Sequence, residues 1–225
     1  VGQSPSAQLR QISEQAHFLC KKQYNCLRRS LLPMLRNHDI LIVRFEGLDA
    51  KQKKYVARYF DHMVFPVLTP LIDQSRPFPL LANRSLNLAV RLKKEKETHF
   101  AVVQVPSILP RFIALPGEKK QHFILLEDVI IAYLPKLLET HEVKAVSLFR
   151  ITRNADLSID EEAEDLLQEI QKSIKKRKRG RPVRLEINAK CDEETQRFLI
   201  DTLDVREADV YSCAGPLDLN AWSKL

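Results

Sequence analysis

The segment 64–90, VFPVLTPLIDQSRPFPLLANRSLNLAV, constrains the fold of this chain more than any other stretch. It holds four of the 12 prolines, Pro66, Pro70, Pro77 and Pro79. Because a proline fixes its own φ angle and disfavours the helical conformation for the residue before it, a helix cannot run through this segment. Apolar residues then alternate with others, which predicts a strand over 86–92. A rigid passage from a helix to a strand is typical of a junction between two domains that hold a fixed mutual angle.

The remaining pattern predicts helices first and then strands interleaved with helices. Ser4 and Pro5 predict the start of an amphipathic helix that runs to about Asn37, with Pro33 kinking it or ending it early. Further helices are predicted after the capping residue Asp49, from Glu127 with a limit or kink at Pro135, over 158–179 and over 192–203. Strands are predicted at 40–45, 86–92, 100–105, 112–115, 123–125, 145–152, 183–187 and 210–212. The fold class is therefore α+β, with an N-terminal helical segment followed by a mixed α/β domain.

Composition is that of a globular protein. The chain has 225 residues, which suits one large or two modest domains, and 44% of them are hydrophobic while 29% are charged. No apolar run is long enough to cross a bilayer and no signal-peptide pattern is present, so we predict a cytoplasmic protein without a transmembrane segment. The four cysteines, Cys20, Cys26, Cys191 and Cys213, show neither CxxC pairing nor histidines at metal spacing. This pattern predicts reduced thiols and no metal site.

The net charge of +7 points to an anionic partner, and the densest basic run lies within 172–184, KSIKKRKRGRPVR. The candidate anion-binding residues in it are Lys175, Lys176, Arg177, Lys178, Arg179 and Arg181. The run can be a solvated helix end that the helix dipole favours, or a landing site for a linear polyanion. No aromatic residue interrupts it, so base stacking and specific nucleic-acid binding are not expected.

Several segments together resemble the polyphosphate kinase family. Segment 64–90 resembles the junction between that family's N-terminal domain and its head (middle) domain. Four further segments match the family's motifs in order and spacing: VPSILPRFIALP at 105–116, FRITRNADLSIDEEAEDLL at 149–167, PVRLEI at 182–187 and GPLDL at 215–219. The resemblance implies that residues 1–50 are the end of the N-terminal helical domain and that 51–225 form the head domain. The boundary itself stays open between residues 37 and 61.

The resemblance also implies an activity for the parent protein. Such enzymes reversibly transfer the γ-phosphate of ATP to inorganic polyphosphate through a phosphohistidine, with Mg²⁺. None of the six histidines lies in a matching motif, and the five glycines allow neither GxGxxG nor a P-loop. We therefore expect no catalytic residue here, no bound ATP or Mg²⁺ and no activity of this piece alone, with residues missing at both ends. The expected partners are ATP, polyphosphate, the parent's own C-terminal catalytic domains and a second copy in a homo-oligomer.

Two residues at the passage, Asn83 and Arg84, are predicted to form hydrogen bonds that hold the domain junction. The expected role of the whole piece is to make domain and subunit contacts and to frame the substrate path. The alternative is a non-catalytic adaptor or polyanion-binding module that uses the basic run 172–184.

Overall fold

The structure is a computed structural model, and it describes residues 2, 4–72, 81–117, 121–154 and 180–224. The α+β fold predicted from the sequence is confirmed: a long N-terminal helix precedes two β-sheets that are covered by helices. The helices are α1 Pro5–Cys26, α2 Leu32–Asn37, α3 Ala50–Tyr59, α4 Leu126–Leu137 and α5 Glu193–Leu203. The strands are β1 Ile40–Val43, β2 Leu71–Ile72, β3 Leu86–Lys94, β4 Glu97–Gln104, β5 Phe112–Ala114, β6 Gln121–Leu125, β7 Glu142–Arg153, β8 Pro182–Asn188 and β9 Val210–Cys213. The helix predicted over 158–179 lies outside the described residues.

The N-terminal helix runs to Asn37 as predicted, and Pro33 does not end it. The Ser4 side chain accepts a hydrogen bond from the Ala7 N–H and begins α1. Between α1 and α2 the chain forms a π-helical turn, Leu27–Leu31, which comes just before Pro33. A proline within a helix lacks an N–H and crowds the carbonyl of the residue four positions earlier. In the π-helical turn the N–H of Leu32 donates to the carbonyl of Leu27, five positions earlier, and the helix continues to Asn37.

The six-stranded sheet has the order β2-β4-β3-β7-β8-β9, and all its pairs are antiparallel except β8 with β9. The central strand β3 is buried on both faces. Leu88, Val90 and Leu92 point into one core cluster, whereas Ala89 belongs to the cluster on the opposite face. Residues from α1, α3 and α4 fill the first cluster, and residues from α5 fill the second. A slip of one residue would exchange the large side chains of one face for the small Ala89 of the other, so packing on both faces favours a single register.

The three-stranded sheet has the order β1-β6-β5 and joins the beginning of the chain to its middle. β1 pairs with β6 in parallel, with Ile40 opposite Gln121. The helix α3 follows β1, and Asp49 and Gln52 form a complete capping box at its start. Residues before position 51 thus share both a sheet and a core cluster with residues after it. Within the described part of the chain, no helix is long and apolar enough to span a membrane.

Self-association is the first testable expectation, because α1 presents large apolar side chains to solvent. Leu9, Ile12 and Leu19 follow one another at helical spacing and are 52%, 62% and 62% exposed. Such a contiguous apolar surface is typical of an interaction site. Light scattering across a concentration series should show dimers or larger species. Changing Ile12 and Leu19 to glutamine should raise the dissociation constant by at least about tenfold, because each removes buried apolar area.

The matched control changes Gln11 and Asn25 to alanine, two exposed polar residues of the same helix on the side away from Ile12 and Leu19, which should leave the dissociation constant unchanged. A strictly monomeric mass for the unchanged chain at high concentration would contradict the expectation.

Candidate functional site

A cavity of about 770 Å³ lies where three parts of the chain meet. The turn that precedes β3, the loop that joins β4 to β5 and the last described segment form its walls. Its polar lining includes Asn83, Arg84, Gln104, Arg111 and Asp218. The structure therefore brings the two predicted junction residues, Asn83 and Arg84, to the edge of a cavity of ligand size.

The turn before β3 is fixed to strand β7 by its backbone. Arg84 has a φ angle of 62°, which is uncommon for a residue with a side chain. Its N–H donates to the carbonyl of Ile151 at 2.8 Å, and its carbonyl accepts from Nε of Arg150 at 3.1 Å. The side-chain oxygen of Asn83 accepts from the N–H of Arg153 at 2.9 Å. The surrounding bonds therefore hold a conformation that would otherwise be strained.

The loop from β4 to β5 gives the cavity an apolar rim. Pro106 and Pro110 restrict its backbone, and the N–H of Val105 donates to the carbonyl of Leu86 at 2.9 Å. Between the prolines, the Ile108 side chain is 83% exposed, the highest exposure among the large hydrophobic residues of the described chain. A rigid loop thus displays one apolar side chain at the opening of the cavity.

The floor of the cavity contains a buried ion pair. Nε of Arg111 lies 3.1 Å from both carboxylate oxygens of Glu127, whose side chain is only 1% exposed. The same guanidinium donates to the carbonyls of Leu217 at 2.7 Å and Asp218 at 2.8 Å. In addition, the carbonyl of Arg111 accepts from the N–H of Leu126 at the start of α4. Arg111 therefore holds the loop, helix α4 and residues 217–218 together. Its positive charge is paired with the Glu127 carboxylate.

A second arginine connects this floor to the six-stranded sheet. Arg150 of β7 donates to Glu186 at 2.8 Å, and another of its nitrogens lies 3.2 Å from a carboxylate oxygen of Asp218. Glu186 in turn accepts from Arg184 at 2.9 Å. Asp218, like Arg84, has a left-handed backbone, with a φ angle of 52°. Two of the five left-handed residues of the described chain therefore lie at one cavity and share Arg150 as a partner.

The side chain of Arg84 differs from those of Arg111 and Arg150. It is exposed, and it makes no ion pair or side-chain hydrogen bond within the ranges that the structure describes. Its guanidinium is therefore available to bind an anionic group, in the bidentate geometry that suits phosphates and carboxylates. Across those same ranges, no three His, Cys, Asp or Glu side chains come together as a metal site.

Most of the basic run lies outside the described residues, namely Lys175, Lys176, Arg177, Lys178 and Arg179. Arg181 is described: it is exposed, and one of its nitrogens lies 3.6 Å from a carboxylate oxygen of Asp204. Arg184, at the end of the same run, stacks on the Tyr211 ring and pairs with Glu186. Because Arg184 is committed to these contacts, it adds no free charge to the run. Anion binding by the others stays a prediction.

Sequence reasoning missed the buried network of Arg111, Glu127, Arg150, Glu186 and Asp218. The sequence does indicate two members of this network, Glu127 and Arg150. Glu127 interrupts the apolar run FILLEDVIIA, and Arg150 lies inside the predicted strand AVSLFRIT. A charged residue flanked by apolar residues within a helix or strand indicates a buried charge that needs a partner. The identity of each partner could not be predicted, since it depends on contacts that are distant in sequence.

Comparisons with known proteins give consistent results. The family model for the polyphosphate kinase middle domain matches residues 51–225. A polyphosphate kinase of Halalkalibacterium halodurans is 50% identical across the whole chain, and one of Bacillus cereus is 47% identical over 97% of it. The chain spans about a third of the length of either relative, 33% in both cases.

Among solved structures, the crystal structure of polyphosphate kinase from Porphyromonas gingivalis has the same fold. It superposes with a TM-score of 0.80 over 98% of this chain and 32% of its own, at 23% sequence identity.

Proposed function

Because this chain belongs to the polyphosphate kinase family, we propose that it is part of an enzyme that reversibly transfers the γ-phosphate of ATP to inorganic polyphosphate. The family resemblance seen in the sequence is confirmed by the matched family model and by a relative that is 50% identical over the whole chain. In this proposal the phosphohistidine lies outside residues 1–225, and ATP and Mg²⁺ are held outside them as well.

The proposed role of this part is to make domain and subunit contacts and to frame the substrate path. Residues 1–50 would be the end of an N-terminal helical domain and 51–225 the head domain. The partners would be the enzyme's own C-terminal catalytic domains and a second copy in a homo-oligomer, in the cytoplasm. Sequence similarity over the whole chain to proteins three times as long supports a role that depends on further domains.

One observation carries this role: the cavity combines a rigid polar floor with a free cation and an exposed apolar residue. Ion pairs use the charges of Arg111 and Arg150, so these residues hold the walls in place. Arg84 alone among the cavity's described arginines keeps an unpaired guanidinium, and Ile108 extends from the rim. An apolar contact at Ile108 would bury that side chain against a neighbouring domain. Arg84 would then face a negatively charged chain that passes the junction.

The test compares the 225-residue chain with a protein of the relatives' full length. We expect no conversion of ATP to ADP by the short chain in the presence of polyphosphate, and conversion by the long one. In the long protein, Arg84→Ala should lower kcat/KM for polyphosphate about tenfold or more, since a hydrogen bond to a charged group contributes about 1.5–3 kcal/mol. Arg84→Lys should restore part of the loss.

The control is Arg197→Ala, which removes an exposed arginine of α5 that is remote from the cavity lining. We expect it to leave kcat/KM unchanged. Activity of the short chain above a vector control would refute the location of the catalytic machinery. An unchanged kcat/KM in Arg84→Ala would refute the role of the cavity.

A further inference from the structure

Two buried cysteines meet where the N-terminal helix crosses the edge of the six-stranded sheet. Cys20 lies on α1 and Cys213 at the end of β9, 193 residues later in the sequence. Their sulfur atoms are 4.0 Å apart, and the residues are 7% and 1% exposed. The other two thiols lie elsewhere: Cys26 is exposed and Cys191 is partly buried. Two of the four cysteines are therefore neighbours in space although neither is near the other in sequence.

Several contacts hold α1 against β9 and against the residues that flank this strand in the sequence. The His17 ring stacks on the Tyr211 ring with centroids 4.0 Å apart. Ser13 donates a hydrogen bond to the carbonyl of Ala208 at 2.9 Å, and Tyr24 donates to the carbonyl of Pro216 at 3.0 Å. These bonds lie on both sides of Cys20 along the helix. The two sulfur atoms are thus held close together by the packing of the elements that carry them.

The electrostatic environment distinguishes the two thiols. The hydrogen bond between the Cys20 and Cys213 sulfur atoms, together with the nearby Arg184 guanidinium, lowers the pKa of Cys20 to about 6, although burial opposes this. The same hydrogen bond, followed by burial, raises the pKa of Cys213. Glu186 lies close enough to oppose the ionisation of both thiols. A thiol with a lowered pKa beside an arginine, and a second thiol 4.0 Å away, are two of the features of redox-sensitive cysteine pairs.

We propose that Cys20 and Cys213 form a redox modification site, a dithiol that a hydroperoxide converts to a disulfide between α1 and β9. The sulfur atoms must approach from 4.0 Å to about 2.05 Å, which requires rotation of the two side chains. Because the site joins the N-terminal helix to the edge strand of the sheet, its oxidation links α1 covalently to β9.

The reaction proceeds in two balanced steps. The Cys20 thiolate attacks the terminal oxygen of the hydroperoxide, the O–O bond breaks, and Cys20 becomes a sulfenic acid while the alkoxide or hydroxide leaves and takes up a proton. The Cys213 sulfur then attacks the sulfenic sulfur, the S–O bond breaks and the S–S bond forms. The hydroxide that leaves accepts the Cys213 proton as water. Together the two thiols lose two electrons, and the hydroperoxide is reduced to water and an alcohol, or to two waters when it is hydrogen peroxide.

The first experiment treats the unchanged chain with hydrogen peroxide, alkylates the remaining thiols and maps the peptides by mass spectrometry. We expect the peptides of Cys20 and Cys213 to be joined, with a mass two hydrogen masses below the sum of the two reduced peptides. Cys26 and Cys191 should be alkylated. Recovery of Cys213 as a free thiol beside an over-oxidised Cys20 would overturn the proposal. So would disulfides that involve Cys26 or Cys191 as often as the proposed pair.

Single substitutions provide matched controls. Cys26→Ser and Cys191→Ser should leave the cross-link intact, whereas Cys213→Ser should stop the reaction at a sulfenic acid on Cys20 that a dione reagent traps. Oxidation of the unchanged chain should raise its melting temperature by roughly 5–15 °C, because the bond closes a long loop in the unfolded chain. A reducing agent should reverse both the cross-link and this shift. An oxidised chain with an unchanged melting temperature and no linked peptides would also overturn the proposal.

Discussion

Replacing Glu127 with alanine is expected to lower the free energy of unfolding by about 3–5 kcal/mol, because the change leaves the Arg111 guanidinium buried without its counter-charge. The two side chains are 1% and 12% exposed, so water cannot replace the lost carboxylate. Urea unfolding followed by circular dichroism measures the effect. Trp222 contacts the Phe112 ring edge to face beside the same loop, and its fluorescence provides a local reporter.

Two further variants separate the ion pair from its surroundings. Changing Arg111 to methionine and Glu127 to leucine together should cost less than the single change, since no buried charge is left alone. The double variant still loses the hydrogen bonds to the carbonyls of Leu217 and Asp218, so the Trp222 signal should change even where global stability recovers. The surface pair Lys136–Asp61, about half exposed, is the control. Asp61→Asn should cost less than about 1 kcal/mol, and a Glu127→Ala variant within that range would contradict the prediction.

A rise in pH is expected to destabilise the fold through Asp128, the neighbour of Glu127 in the first turn of α4. Burial first, and the adjacent Glu127 carboxylate second, raise the pKa of Asp128 from 3.8 to about 6. Because the folded state holds this proton more tightly than the unfolded state, the contribution to stability is complete below pH 3.8 and is lost as pH rises through 6. A difference of about two pH units corresponds to up to about 3 kcal/mol.

Asp128→Asn keeps the size of the side chain and removes its titration. We expect the variant to be more stable than the unchanged chain at pH 7, and the difference to shrink as pH falls toward 4. Urea midpoints measured at several pH values provide the test. Asp201→Asn, which changes an exposed carboxylate on α5, is the matched control and should follow the unchanged chain. Parallel pH profiles for Asp128→Asn and the unchanged chain would refute the prediction.

The local elements of the fold were predictable because their signals are short-range. Alternating apolar residues predicted β3 over 86–92, and the strand extends to Lys94. Asp49 and Asp192 were placed at the beginnings of helices, and both side chains accept hydrogen bonds there as N-caps. At Pro33 the local rule gave an incomplete answer. The proline predicted a kink or an early end of the N-terminal helix. In the structure, a π-helical turn precedes the proline and the helix continues to Asn37.

The candidate site was predictable only in part. Asn83 and Arg84 were singled out by their place in the passage, and both lie at the cavity. Their hydrogen bonds run to β7, which lies about 70 residues away in the chain, and no periodic pattern encodes such a pairing. The left-handed conformation of Arg84 was equally hidden, since it is imposed by the bonds on both sides of the residue.

By itself the sequence determined the α+β class and membership of the polyphosphate kinase family, because helix and strand propensity, capping residues and the order of motifs are local properties of the chain. Only the tertiary structure decided which arginine side chains form ion pairs and which are unpaired. Arg111, Arg150 and Arg184 are committed to carboxylates, whereas Arg84 keeps an unpaired guanidinium within the described residues. It also decided that Cys20 and Cys213 meet. The physical reason is the same in both cases: ion pairs and thiol contacts depend on distances of a few ångströms between segments separated by up to 193 residues, and the tertiary packing of helices, strands and loops sets those distances.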